Sequence, residues 1–424
     1  MTTHADIVCL SHLRWDFVYQ RPNHLMARAA ERHRVYFVEE PELRTTDAAG
    51  QAHGGMTTPT SGSDTAARME TAEHDGVTVV RPILPAGTHP VRANALLRTA
   101  IDRFAATEGI TRPWLWYYTP MALPWTEHLA ARAVIYDCMD ELSGFRFAPA
   151  AIRDLERRLL GRANVVFTGG RSLYGAKRDS HPNTFLFPSS VDVEHFRRAR
   201  RELPDPADQR AIGRPRIGYY GVIDERIDLG LVDQVAAARP DWQLVMVGPL
   251  AKIDEADLPR RPNIHWLGKK SYSELPAYLA GWDVAVMPFA LNESTRHISP
   301  TKTPEYLTGG RPVVSTSVRD VVQPYGELGL VHIADGTEAF VAAIEVALAQ
   351  DRTGLRKRAD RFLASQSWDT TWAQMAAAIQ QHAPRPRLVP VPVVAPVAPD
   401  RAGRGAGGSD APTTALITSG ELPK

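Results

Sequence analysis

Cysteine is scarce in this chain, which has only Cys9 and Cys138 among its 424 residues. Both lie in or just after short apolar runs that are typical of buried strands. We therefore expect both thiols to be reduced core residues. Nothing about these two cysteines implies a disulfide scaffold or a zinc site.

Charge of one sign is not in excess either, because 49 Lys and Arg face 48 Asp and Glu, a net charge of +1. This excludes a global electrostatic attraction to nucleic acid. No run approaches the roughly 18 apolar residues of a membrane-spanning helix. Residues 1–6 lack the charged and apolar regions of a signal peptide. We expect a cytoplasmic protein, with peripheral contact at the inner face of the cell membrane left open.

The glycine pattern of dinucleotide-binding folds is also missing. Ile7–Leu10 is predicted to be the first buried strand, followed by a polar loop to Arg21 and a helix from Pro22. That loop has no Gly-x-Gly-x-x-Gly, which argues against an NAD or FAD site. We expect no cofactor apart from the substrate itself.

Apolar strand-like runs alternate with helical segments along most of the chain. This alternation predicts an α/β fold with two doubly wound, Rossmann-like domains and a ligand cleft between them. The predicted segments are an N-terminal domain over 1–190, a C-terminal domain over 191–366, a final helix over 367–383 and a disordered tail over 384–424. Residues 44–75, rich in Thr, Gly, Ala and Ser, are predicted to form a surface excursion.

Residues 299–316 have the pattern of a loop, a short helix, a tight turn and a buried strand. Ser299 is a suitable N-cap and Pro300 suits the first helical position. Gly309–Gly310 are predicted to provide a left-handed helix exit. The amino end of such a helix is a natural seat for a diphosphate.

The first turns of this predicted helix carry the residues of a nucleotide site. Lys302 adds a positive charge at the amino end, with Ser299 and Thr301 beside it. Glu305 shares the helical face of Lys302 and Thr301, where a carboxylate can accept the hydroxyls of a ribose. Both charged side chains are also compatible with a solvent-exposed helix surface.

Three segments resemble parts of GT-B glycosyltransferases, in the same order along the chain. Residues 14–26 resemble the N-terminal loop of family-4-like bacterial sugar transferases of cell-surface polysaccharide and teichuronic-acid type. Residues 187–196 are similar to the segment between the two domains of such enzymes, and residues 281–316 resemble their donor-binding core. The resemblance implies a GT-B fold whose final helix crosses back to the first domain.

The resemblance implies that the second domain binds a nucleoside diphosphate sugar, with UDP favoured, and that the first binds the acceptor. Gly248 and Lys269 each follow a predicted strand of the second domain. The resemblance implies that the backbone around Lys269 flanks the base of the nucleotide. Ordinary strand–helix turns are the alternative at both positions.

The chain departs from the family pattern at the diphosphate and at the sugar. Val222 and Ile227 replace the usual arginine and lysine. This leaves Arg226 either as the second cation near the leaving phosphate or as an arginine paired with a neighbouring carboxylate. The glutamate expected eight residues before Glu305 is also missing. The candidates for sugar recognition there are Glu293, Arg296 and His297.

Polar residues after the strands of the first domain are candidates for the acceptor side. His24 is equally compatible with a helix surface. Asp137 and Asp140 lack the compact Asp-x-Asp spacing of a metal-dependent transferase, and lysine and arginine can replace Mg²⁺, so we expect metal independence. The acceptor-side candidates are Arg14, Asp16, Arg21, His24, Asp137 and Asp140.

These observations favour a glycosyltransferase of polysaccharide or cell-envelope synthesis, acting on a glycan or lipid-linked acceptor. The resemblance implies retention of the anomeric configuration, with the donor phosphate as base. The catalytic candidates are Arg226, Lys302 and His297. A non-catalytic nucleotide-sugar-binding or scaffolding subunit is the alternative, and a GT-B nucleotide-sugar epimerase is a third possibility.

Overall fold

Parallel strands built from short apolar runs form two separate sheets. The computed structural model describes residues 5–44 and 65–384. Every side chain of Ile7–Leu10, Val165–Thr168 and Val284–Met287 is buried. Helices cover both faces of parallel sheets, so such strands read as continuous apolar runs rather than as alternating patterns.

The first sheet and the helices around it are called the first lobe. Its elements are β1 (Ile7–Leu10), α1 (Arg21–Ala30), β2 (Val35–Val38), β3 (Glu42–Leu43), β4 (Arg68–His74), β5 (Val77–Leu84), α2 (Pro90–Thr107), β6 (Trp114–Tyr117), α3 (Leu123–Thr126), β7 (Ala133–Cys138), α4 (Ile152–Arg162), β8 (Val165–Thr168), α5 (Arg171–Lys177) and β9 (Thr184–Leu186). The strand order is β3-β5-β2-β1-β6-β7-β8-β9, and β4 pairs antiparallel with β5.

The second sheet and its helices are called the second lobe. Its elements, with those of the connecting segment, are α6 (Val193–Arg197), α7 (Ala207–Arg210), β10 (Arg216–Tyr220), α8 (Leu229–Ala238), β11 (Gln243–Val247), β12 (Ile264–Trp266), α9 (Leu275–Ala280), β13 (Val284–Met287), α10 (Lys302–Thr308), β14 (Val313–Ser315), α11 (Arg319–Val321), β15 (His332–Ile333), α12 (Thr337–Ala349) and α13 (Arg352–Leu363). The parallel order is β12-β11-β10-β13-β14-β15. Both lobes belong to one compact unit of the chain.

The last helix, α14 (Trp368–His382), packs against the first lobe. Met375 and Ile379 are buried in the same core cluster as Trp116 of β6. The Trp368 ring stacks on His24 of α1, with ring centroids 4.7 Å apart. His24 is 3% exposed. It is therefore a core residue, and both its predicted acceptor-side role and its surface alternative are wrong.

A buried ion pair ties α1 to the end of β7. Arg21 donates from Nη2 to Asp137 Oδ1 at 2.9 Å and from Nε to both carboxylate oxygens at 3.1–3.2 Å. Its Nη1 donates to the backbone carbonyl of Phe187 at 2.7 Å. The two charged side chains are 1% and 0% exposed. Neither has surface left for an acceptor, so the structure corrects this part of the predicted acceptor site.

Two predicted segments fall largely outside the described residues. Residues 45–64 of the predicted surface excursion and 385–424 of the predicted tail lie outside the described residues. The described part of the excursion includes Arg68–His74, which is a strand of the first sheet. The proposed domain boundaries stay predictions. Within the described ranges, no helix combines the length and the apolar character needed to cross a membrane.

We predict that Asp137→Ala lowers the free energy of unfolding by about 3–5 kcal/mol, because it leaves the Arg21 guanidinium buried and unpaired. Urea denaturation would measure this loss. The matched control is Asp369→Ala. It removes a partner of Arg28 that is 76% exposed, and should cost no more than about 1 kcal/mol. Similar losses for the two variants would contradict the structural role of the buried pair.

Candidate functional site

A cavity of about 510 Å³ lies between the two lobes, at the carboxyl ends of β10 and β11. Such a volume is within the usual range for small-molecule sites, roughly 300–1,000 Å³. Residues from both lobes line it. The sequence-predicted residues among them are Asp16, Gly248, Lys269, Thr301, Lys302 and Glu305.

The short helix α10 forms one wall of this cavity, and it differs in detail from the sequence prediction. It begins at Lys302, with Thr301 as a cap residue that makes no side-chain capping bond. Ser299 and Pro300 therefore precede the helix. Gly309 is right-handed (φ −69°) and Gly310 alone provides the left-handed exit (φ +73°).

Glu305 is the buried carboxylate of the cavity wall, with 8% of its surface exposed. Burial raises its pKa to about 7, against the opposing effect of the Lys302 charge. The Tyr220 hydroxyl beside it is buried, and its hydrogen-bonding interaction with the Glu305 carboxylate also opposes the rise. This end of the cavity therefore holds polar groups suited to sugar hydroxyls.

Lys302 lies against the end of β10. Burial lowers its pKa, and the Glu305 charge opposes that shift. A Cβ at Gly221 would lie 2.7 Å from Lys302 Cε, and a Cβ at Gly248 would lie 1.7 Å from the Gly221 carbonyl oxygen. Gly221 and Gly248, at φ +148° and +150°, thus allow two strand ends and the lysine to meet. Sequence reasoning missed Gly221, although a glycine directly after a strand was a usable signal.

Arg226 lies outside the cavity lining, in the turn before α8. It makes a bidentate ion pair with Asp224, with contacts of 2.7 and 2.9 Å. Its guanidinium carbon lies 5.6 Å from the ring centroid of Phe145 in the first lobe. The structure therefore shows the carboxylate-paired alternative, and a role for Arg226 beside the leaving phosphate stays a prediction.

Asp140 of the first lobe lies near Arg226 and Lys302 of the second lobe. Burial raises its pKa, while the positive charges of Arg226 and Lys302 oppose the shift. This carboxylate of the first lobe therefore shares an electrostatic environment with the two cations of the second lobe.

The structure does not bring the remaining predicted sugar-binding residues into the cavity. Glu293 and Arg296 pair with each other at 3.6 Å and are 78% and 65% exposed. His297 faces the first lobe, where burial lowers its pKa while the Glu141 charge raises it. Ser299 lines a separate cavity of about 190 Å³ near Phe187. These four side chains therefore do not line the inter-lobe cavity, and their roles toward the donor stay predictions.

Arg14 is also committed to other contacts, because it pairs with Glu39 at 2.9 Å and Glu42 at 2.7 Å. Its predicted acceptor-side charge is therefore compensated within the first lobe.

In the described ranges, no group of three or more His, Cys, Asp or Glu side chains is arranged to hold a metal ion.

Comparison with known proteins finds a family match within the second lobe. Residues 214–350 match the family model "Glycosyl transferases group 1". The chain is 27% identical over 298 residues to the putative teichuronic acid biosynthesis glycosyltransferase TuaH of Bacillus subtilis (strain 168), covering 63% of this chain and 72% of that protein.

Solved structures establish the fold. A structure described as trehalose-6-phosphate from E. coli bound with UDP-2-fluoro glucose has a TM-score of 0.63 at 11% identity, covering 90% of this chain and 100% of that one. Anabaena Alr3699/HepE in complex with UDP and glucose has a TM-score of 0.58 at 15% identity, covering 89% and 100%. The predicted GT-B fold is confirmed.

We predict that Glu305→Gln removes a pH-dependent loss of stability. The pKa of Glu305 rises from its ordinary value of 4.5 to about 7 on folding, so the folded protein keeps a proton that the unfolded chain releases. Wild-type stability should therefore fall, relative to the variant, as the pH rises from about 4.5 to about 7, by on the order of 3 kcal/mol.

Guanidinium unfolding of both proteins at pH 5 and pH 8 measures this difference. The exposed Glu338 on α12 offers a matched control, because Glu338→Gln should show the wild-type pH dependence. A parallel pH dependence in wild type and Glu305→Gln would show that Glu305 is not buried as described.

Proposed function

We propose that this enzyme of the glycosyltransferase type transfers a sugar from a nucleoside diphosphate donor, with UDP favoured, to a hydroxyl of a glycan or lipid-linked acceptor. The observation that carries the proposal is the inter-lobe cavity, in which Lys302, Glu305 and Lys269 of the second lobe face Asp16 of the first. A cationic side chain and a carboxylate on one short helix match a diphosphate and the hydroxyls of the adjoining ribose.

Electrostatic stabilisation of the leaving group is the central step of the proposed mechanism. Negative charge develops on the nucleoside diphosphate as its bond to the sugar breaks. A preorganised cation in a water-poor site stabilises that charge, commonly by a few kcal/mol. We assign this role to Lys302, with Arg226 contributing from its ion pair with Asp224. Metal independence is part of the proposal, since the two cations can take the place of Mg²⁺. Retention of configuration is also part of it, on the basis of the family resemblance alone.

Sequestration of the donor follows from its position between lobes. Water that reaches the activated sugar would hydrolyse it, so the two lobes must close around the donor before transfer. Lys269 Nζ already donates to the backbone carbonyl of Asp16 across the cleft at 2.7 Å. This contact supports a closing movement that unites the donor and acceptor lobes.

The proposed acceptor and cellular location are inferred from the names of similar proteins. The name of the Bacillus protein refers to teichuronic acid biosynthesis, which supports a cell-envelope polysaccharide as the product. A cytoplasmic location with peripheral membrane contact belongs to the same proposal. Four arginines lie in the segment between the two sheets: Arg197, Arg198, Arg200 and Arg201. Arg197 is paired with Glu194 at 3.2 Å and Arg200 with Asp360 at 2.6 Å, so Arg198 and Arg201 are better placed to meet anionic headgroups.

A panel of radiolabelled nucleotide sugars tests the assignment. Incubation of the purified chain with UDP-, GDP-, ADP- and CDP-sugars should release nucleotide from one UDP-sugar, slowly by hydrolysis and faster with an acceptor. Binding without release would favour the non-catalytic alternative, and a changed sugar without release would favour an epimerase.

We predict that Lys302→Ala weakens the affinity for the UDP-sugar by roughly 10- to 100-fold, because hydrogen bonds to charged groups contribute about 1.5–3 kcal/mol. Isothermal titration calorimetry measures the change. Lys357→Ala, at an exposed position on α13, removes the same charge far from the cavity lining and should leave the affinity unchanged. Equal affinities in all three proteins would contradict the assigned diphosphate site.

A further inference from the structure

A β-hairpin of the first lobe reaches the inter-lobe cavity. Strands β4 and β5 pair without interruption from Arg68–Ile83 to His74–Val77. The two turn residues, Asp75 and Gly76, both have positive φ, at +51° and +78°, as a two-residue type I′ turn requires. The hairpin therefore presents its tip in one defined conformation.

His74 and Asp75, called the hairpin tip, line the cavity directly. His74 Nδ1 lies 3.8 Å from Asp16 Oδ1, and the His74 side chain is 35% exposed. Burial and the negative charge of Asp75 raise the pKa of Tyr19, another lining residue. The hairpin tip thus meets the loop between β1 and α1 at one end of the cavity.

The two ends of the cavity differ in their chemistry. At one end, the charged groups that act on Lys302 include Arg226, Asp224 and Asp140, whereas Glu305 lies between the two ends, because its charge acts on both Lys302 and Tyr272. The other end contains Asp16, which accepts a hydrogen bond from Lys269 Nζ through its backbone carbonyl. His74 approaches the side chain of the same residue. The hairpin tip therefore lies at the Lys269 end.

The Lys269 end suits an uncharged, aromatic group. The rings of Tyr19 and Tyr272 lie there with centroids 4.7 Å apart. The charge of Lys270 is compensated by Asp208 at 2.7 Å. The carboxylates of Asp75 and Asp16 would repel a phosphate there, whereas aromatic rings and hydrogen-bonding side chains are what a nucleobase requires.

We infer that the hairpin tip contacts the nucleoside of the donor, so that the acceptor lobe completes the nucleotide site of the second lobe. This inference rests on the proposed function. The imidazole of His74 is the contacting group, and Asp75 holds the turn. Because the tip belongs to the first lobe, nucleoside recognition and lobe closure are one event.

Calorimetric titration of the full chain with two probes, UDP and inorganic pyrophosphate, tests the inference. Pyrophosphate reports on the Lys302 end alone. His74→Ala should weaken UDP binding about five-fold, the size expected for one lost hydrogen bond, and leave pyrophosphate binding unchanged. Lys302→Ala should weaken both probes.

Thr71→Ala is the matched control, because Thr71 is exposed on the same hairpin and does not line the cavity. It should bind both probes like wild type. If His74→Ala binds UDP like wild type, or loses both probes equally, the nucleoside contact is overturned while the proposed function stands. If the wild-type chain binds neither probe, the proposed function itself fails, and the inference with it.

Discussion

Burial of a carboxylate and an ammonium group on one short helix is the constraint around which this protein is built. Glu305 and Lys302 are three residues apart on α10, so they lie on the same helical face. Burial raises the pKa of Glu305 to about 7 and lowers that of Lys302. Their mutual attraction only partly offsets the loss of water. A ligand that brings an anionic diphosphate and hydroxyl groups would satisfy both side chains.

The surrounding fold maintains this unfavourable arrangement. Gly221 and Gly248 let the ends of β10 and β11 approach so closely that a Cβ at either position would collide with its neighbours. Tyr306 of α10 is fully buried and its hydroxyl accepts a hydrogen bond from the backbone N–H of Tyr220 at 2.9 Å. The helix is thus anchored by its apolar face while its charged face borders the cavity.

The contacts between the two lobes around the cavity are both polar and aromatic, and the aromatic ones include the rings of Tyr19 and Tyr272, with centroids 4.7 Å apart. They include the hydrogen bond from Lys269 to the Asp16 carbonyl and the Arg226–Phe145 cation–π contact. On the opposite side, Asp320 of the second lobe accepts a hydrogen bond from the Ser172 backbone N–H at 2.9 Å. Such contacts are individually weak and exchange readily with water or ligand. They suit two lobes that must separate to admit a donor.

Local sequence patterns predicted much of this protein. The alternation of apolar runs and helical segments established the two doubly wound layers, because strand burial is visible in short stretches of residues. The pattern around 299–316 located α10 and its charged pair, because the turn glycines and the helical spacing of Lys302 and Glu305 also lie within one short stretch. Only the tertiary structure showed that Arg21 and Asp137, 116 positions apart, form a buried ion pair. It likewise placed the hairpin tip at the cavity, since packing between distant segments leaves no periodic signal in the sequence.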